Sequence, residues 1–245
     1  MKFFDYRDWL LNENRMRVDW TEKDDEEWEK LHMENLDVLS QCFRKHRAKW
    51  WVDSGTLLGI YRDGRIIPGD SDTDVGIMCD DINSDLISDM EKHWNMATIN
   101  GMFYHHKDLQ KLMTEDKYMM VKNIKFSGLK TKNGQAVKHK GKEVWADVFI
   151  YFPHNKDRIY KFVGGYFRNK EENLQDFTTF QHKGVTLKRP AKTDAFLECV
   201  YGRGWETPNP EYNPDDIQCY GGPITPEKLG GTYKYNYLKK DYKIE

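Results

Sequence analysis

Three aspartates stand at alternate positions in the run DSDTD, as Asp70, Asp72 and Asp74. Alternate residues of a strand share one face, so Asp72 and Asp74 point together while Asp70 arrives from the preceding loop. Carboxylates that close repel one another unless a cation lies between them, and oxygen ligands at this density suit Mg²⁺ or Mn²⁺. Upstream, Ser54-Gly55-Thr56 is a small, turn-prone tripeptide following a strand predicted over Trp50 to Asp53. Backbone N–H groups at such a turn, leading into a helix N-terminus, can cradle a phosphate. Together the two features point to metal-assisted chemistry on a phosphate ester. An acidic loop or a solvated strand edge is the plainer alternative. The tripeptide, the apolar alternation of Val75 and Ile77 opposite Asp72 and Asp74, and a third aspartate further on favour the metal.

That third aspartate is Asp147, inside Val144 to Phe152 (VWADVFIYF). Apolar character on both faces marks a central strand. A carboxylate in its middle is expensive to bury unless something compensates it. The elements that must position these groups are predicted as follows. An amphipathic helix runs from Thr21, its N-cap, to about Lys45. A short helix passes through Leu57, Leu58 and Tyr61, and a strand runs from Thr73 to Met78. Asp85 to Trp94 reads as a helix, and Met119 to Phe126 and Leu129 to Thr131 as strands. Asn133-Gly134 marks a hairpin turn among five lysines. Thr193 to Tyr201 is a helix ended by Gly202.

The bulk numbers set the frame. A chain of 245 residues can form one substantial domain. Aromatic residues make up 14% of it, which supplies the buried area that low mean hydropathy leaves in doubt. A formal net charge of −2 gives no global case for nucleic-acid or membrane binding, so no nucleic-acid partner is expected. The four cysteines are scattered, without CxxC pairs, and read as reduced thiols. Charges break the N-terminal stretch before it reaches signal-peptide length, and no apolar run spans a membrane. A soluble, cytoplasmic protein without a transmembrane segment is expected.

A Gly-Ser/Thr turn, Asp-x-Asp on a strand and a distant strand aspartate resemble the nucleotidyltransferase superfold. More closely, GTLLGIYRDGRIIPGDSDTDVGIM is similar to the signature of the LicD/fukutin-related family, in which G-T-L-L-G and a basic residue precede I-P-W-D-x-D-x-D-hydrophobic-G. The resemblance continues at Ala146-Asp147-Val148-Phe149 and at YGRGWETP, so it reaches from Gly55 to Pro208. It implies transfer of a phosphorylated alcohol, such as phosphocholine or ribitol phosphate, from a CDP-activated donor to a glycan hydroxyl. By position it implies that Asp72 and Asp74 hold a divalent metal. Asp147 would complete the metal site or accept a proton, and Asp70 would be a ligand or an orienting group. Ser54, Gly55, Thr56 and Arg62 would face the donor phosphates. Two positions depart from the pattern: Gly69 stands where the family has Trp, and Ser71 where an acidic residue is common.

Other features read as structural. The lysine-rich hairpin from Lys130 to Lys142 is a solvated turn, or else a landing surface for an anionic acceptor. Trp205 anchors the C-terminal segment. His105, His106, His139, His154 and His182 share no ligand spacing. GxSxG, Walker and HExxH patterns are absent from the sequence.

The expectation is a single α/β (α+β) domain over 1–245, a nucleotidyltransferase-like mixed sheet flanked by helices. Its core covers about 21–208, and 209–245 form an extended, irregular tail. Expected alternatives for function are a nucleotidyltransferase releasing pyrophosphate and a non-catalytic glycan- or nucleotide-binding module.

Overall fold

A computed structural model describes residues 21–99, 102–103, 123–154, 157–162 and 165–209. The first helix, α1 (Glu22–Lys45), begins as its sequence dictates. Thr21 Oγ1 accepts from the Asp24 N–H, and the Thr21 N–H donates to Asp24 Oδ2 at 2.7 Å, closing a capping box. Acidic residues fill the first turn and Arg44 and Lys45 the last, each complementing the helix dipole. Trp28, Leu36, Leu39, Cys42 and Phe43 are buried on the face turned to the sheet.

Strand β1 (Trp50–Val52) follows, entirely buried, and Asp53 N-caps the short helix α2 (Ser54–Leu58), which continues as a π turn over Gly59–Asp63. Strand β2 (Asp72–Met78) pairs antiparallel with β1 and parallel with β6 (Trp145–His154). Between them in sequence lie α3 (Ser84–Met90), β3 (Trp94–Ile99), β4 (Met102–Phe103) and β5 (Asn123–Leu129). The strand order is β1-β2-β6-β5-β3-β4, mixed in direction. The hairpin of β7 (Asp157–Phe162) and β8 (Gly165–Lys170) extends from the end of β6. A separate two-stranded ribbon, β9 (Phe177–His182) and β10 (Val185–Pro190), packs against β1 and α1, and α4 (Thr193–Tyr201) packs near β8. The fold is the expected α/β mixed sheet flanked by helices.

Three local expectations change. The helix expected over Asp85 to Trp94 stops at Met90, and Trp94 opens β3 opposite Leu129. The Trp94 indole is buried against Phe126 and donates to Asn35 Oδ1 at 3.0 Å, so tertiary packing overrides the local helical reading. The two strands expected around Phe126 and Leu129 form one, β5; Met119 to Lys122 lie outside the described residues. Asn133-Gly134 does turn, with the Gly134 N–H on the Thr131 carbonyl at 2.9 Å, but only an isolated bridge, Lys130 to Ala136, flanks it. The expected tail lies outside the described residues beyond Asn209.

Candidate active site

Asp74 and Asp147 face each other in register on the parallel pair β2 and β6. Asp72, two residues earlier on β2, shares their face, because alternate strand residues point the same way. One carboxylate oxygen from each of Asp72, Asp74 and Asp147 lies within 4.8 Å of the others. Asp74 and Asp147 are buried, at 7% and 6% exposure, while Asp72 is more open. Both the separation in sequence and the direction of pairing matter here. An antiparallel or slipped β6 would carry Asp147 away from its partners or to the other face.

The Ser54-Gly55-Thr56 tripeptide aims this group. Thr56 and Asp74 clasp each other: the Asp74 N–H donates to Thr56 Oγ1 at 2.8 Å, and the Thr56 N–H to Asp74 Oδ2 at 3.3 Å. Gly55 is the floor beneath the carboxylates, since a Cβ there would stand 2.9 Å from Asp70 Oδ2 and 3.3 Å from Asp74 Oδ2. Ser54 turns the chain at φ +42°, a left-handed conformation that costs a non-glycine residue about 1 kcal/mol. Its N–H donates to Asp53 Oδ1 at 2.6 Å. Two backbone donors expected to cradle a phosphate are therefore engaged by Asp53 and Asp74.

Asp70 stands beside the trio rather than in it. Burial first, then the charge of Asp72 and a hydrogen bond to it, push its carboxyl well above the usual range. Asp74 shifts in the same direction, through burial and then the charges of Asp72, Asp70, Asp147 and Asp53. In both, burial leads and the neighbouring carboxylate charges add to it. The donor set is oxygen only, convergent and half-buried, which fits a hard divalent cation such as Mg²⁺ or Mn²⁺.

Several residues of the site escaped the sequence reading. On β5, Lys125 pairs with Asp147, and its Nζ lies 2.6 Å from Asp72 Oδ2 and 3.1 Å from Asp147 Oδ2. Burial works against the Lys125 charge, but Asp147 and Asp72 outweigh it and raise its pKa. From α1, Trp28 Nε1 donates to the Asp70 carbonyl at 2.6 Å. His32 Nε2 meets the same carbonyl at 3.2 Å, and its Nδ1 lies 2.9 Å from Thr73 Oγ1. A neutral imidazole with its proton on Nε2 satisfies both contacts. Asn35 donates to the Val144 carbonyl at the entrance to β6. Trp28, His32 and Asn35 are four and three residues apart, so one helix face reads the loop before β2, β2 itself and the start of β6. That spacing was the available signal.

Asp53 anchors the underside. Its N–H donates to the Asp74 carbonyl at 3.0 Å, and Tyr151 Oη donates to its Oδ2 at 2.7 Å. Arg62, expected to face donor phosphates, makes a two-pronged pair with Asp63 at 2.9 and 2.8 Å and donates to the Trp205 carbonyl at 3.3 Å. Trp205 lies 5.8 Å from Tyr61, so this contact pins the segment after α4 onto the π turn.

A mixed sheet with carboxylates on neighbouring parallel strands, held by a glycine-threonine turn, defines a nucleotidyltransferase-type domain. The chain belongs to the LicD/FKTN/FKRP nucleotidyltransferase-domain family, whose pattern matches residues 47–192. It is 26% identical over 182 residues to the human ribitol-5-phosphate transferase FKTN, covering 71% of this chain and 33% of that protein. It is also 26% identical over 186 residues to the mouse ribitol 5-phosphate transferase FKRP, covering 71% and 32%. A shorter stretch of 41 residues is 49% identical to an uncharacterized protein of Rickettsia prowazekii, 17% of this chain and 15% of that one. The chain thus spans about a third or less of the length of these relatives. No helix among the described residues is long and apolar enough to cross a membrane.

Proposed function

We propose that this domain moves a phosphorylated alcohol, such as phosphocholine or ribitol phosphate, from a CDP-activated donor to a saccharide hydroxyl and releases CMP. The observation that carries the reading is the convergence of Asp72, Asp74 and Asp147 within 4.8 Å on neighbouring strands. Two relatives that are ribitol phosphate transferases support the substrate class. Asp72, Asp74 and Asp147 would hold the Mg²⁺ or Mn²⁺. Bound there, such an ion neutralises charge growing on the donor's bridging oxygens. The acceptor oxygen forms a new bond to the phosphorus bearing the alcohol. The bond from that phosphorus to the CMP oxygen breaks, and CMP leaves with the electron pair. The hydroxyl proton passes to a carboxylate beside the acceptor, the role Asp147 takes where it is not a metal ligand. Thr56 and Gly55 fix the angle of Asp74, while Trp28 and His32 fix the backbone that presents Asp70.

The test is incubation with a panel of CDP-alcohols, a divalent cation and candidate glycans, scored for CMP. Turnover of one donor, lost in Asp72→Asn and Asp74→Asn, supports the reading. No turnover of any donor, or full activity in those variants, sinks it. Nucleotide incorporation with pyrophosphate release would instead indicate attack at the phosphorus next to the nucleoside.

A further inference from the structure

A lysine stands among the carboxylates that a metal would need. One ammonium, that of Lys125, bridges Asp72 Oδ2 and Asp147 Oδ2 at 2.6 and 3.1 Å. β5 sets the face from which it reaches. Ile124 and Phe126 on either side are buried on the opposite face, and Lys125 is in register with Asp147. The other neighbour is the Trp145 ring, whose centroid is 5.7 Å from Nζ. The groups facing the ammonium are thus Asp72, Asp147 and Trp145, with Asp74 and Asp70 completing the negative surroundings.

A single ammonium leaves this cluster short of positive charge. A divalent ion compensates it better, but Mg²⁺ requires oxygens at about 2.0–2.1 Å. Asp72 and Asp147, which Lys125 already bridges, are two of the three carboxylates such an ion would use, so lysine and metal contend for the same groups. The lysine can yield: its side chain is 29% exposed and its four-carbon stem is flexible. The Trp145 face offers the departing ammonium a favourable neighbour.

We propose that Lys125 is a resident cation that exchanges with the divalent metal, bridging Asp72 and Asp147 in the metal-free protein and withdrawing when the ion takes their oxygens. Lys125 is therefore a positioning residue that keeps the site assembled without metal and sets the concentration at which metal enters. This inference rests on the metal reading of Asp72, Asp74 and Asp147.

Lys125→Met keeps most of the stem and removes the charge. Calorimetric titration of the metal-free chain with Mg²⁺ should show the variant binding at least about tenfold more tightly, because no cation has to be displaced or repelled. In EDTA the variant should melt below the parent, since three carboxylates lose their counter-ion, and added Mg²⁺ should close that gap. Lys125→Arg, which restores a bridging cation, should return both properties towards the parent. A second measurement needs no variant: amine-selective acylation read by mass spectrometry. Modification of Lys125 should rise on adding Mg²⁺, while that of Lys132, which is exposed, stays constant. Equal or weaker Mg²⁺ binding by Lys125→Met, or Lys125 labelling that Mg²⁺ leaves unchanged or lowers, overturns the exchange. If neither protein binds Mg²⁺ or Mn²⁺, the metal reading itself falls. If the parent binds and the variant matches it, only the exchange falls.

Discussion

Asp53 offers a quantitative test of how the site is supported from below. Its carboxyl is fully buried, and burial pushes its pKa from 3.8 to about 6, against the opposing effect of hydrogen bonds from Tyr151 and Ser54. A carboxyl whose pKa rises on folding holds its proton more tightly in the folded state. Its cost to folding is therefore absent below about 3.8, grows as pH rises towards 6, and is complete above that. At about 1.4 kcal/mol per pH unit, the interval from 3.8 to about 6 corresponds to about 3 kcal/mol. No discount for solvent applies, because the group has no exposed surface. Asp53→Asn removes the titration but keeps the shape. Asn supplies one acceptor where Asp53 uses two oxygens, so the variant should lose about 1 kcal/mol at low pH.

The assay is urea unfolding of both proteins in EDTA from about pH 3.5 to about pH 7.5. The difference in stability, variant minus parent, should move in favour of Asn by about 3 kcal/mol, with the change centred between 3.8 and 6. Asp70 and Asp74 titrate in both proteins, so their contributions largely cancel. What remains of Asp74 has the same sign, because the Asp53 charge raises it. A difference that stays flat across this range, or opens only above about pH 7, would refute the burial argument.

Three further outcomes follow from the same geometry. Gly76→Ala should cost about 3 kcal/mol or more in urea unfolding, because its Cβ would stand 2.3 Å from the Trp51 ring, which Tyr151 and Phe177 hold in place; an unchanged midpoint would contradict this. Gly55→Ala should change stability by less than about 1 kcal/mol, since the atoms it meets are carboxylate ends, yet weaken Mg²⁺ or Mn²⁺ binding about tenfold; superimposable titration curves would count against it. His32→Phe should cost about 1–3 kcal/mol of stability at neutral pH by leaving the Thr73 hydroxyl and part of the Asp70 carbonyl unpaired, and a melting temperature equal to the parent's would show those contacts to be idle.

Which parts of this site were legible in the sequence depends on whether a residue is chemically unusual for its own element. Asp147 in an otherwise apolar strand and Asp72 and Asp74 on one face of β2 are conspicuous locally, so they could be singled out before any pairing was known. The same holds for α1, whose Thr21 cap and apolar period are contained within it, and for α4, which ends at Gly202 as its glycine suggests. Lys125 is different. A lysine flanked by Ile124 and Phe126 is the ordinary polar half of an alternating strand, and only its register with Asp147 places it between two carboxylates. His32 likewise looks like a polar residue of an amphipathic helix until the loop carrying Asp70 is laid against it. β3 and β7 to β10 were missed for a related reason. Trp94 follows a genuine helical pattern, and β9 has no buried residue and an irregular run of exposed and half-buried ones, so neither alternates clearly and each is a strand because of what it pairs with. The carboxylates thus announce the proposed chemistry, while the frame that holds them is built from residues of common type. Lys125, His32 and Trp28 acquire their roles from register and packing alone, and a substitution there should alter metal affinity while leaving the recognisable motif intact.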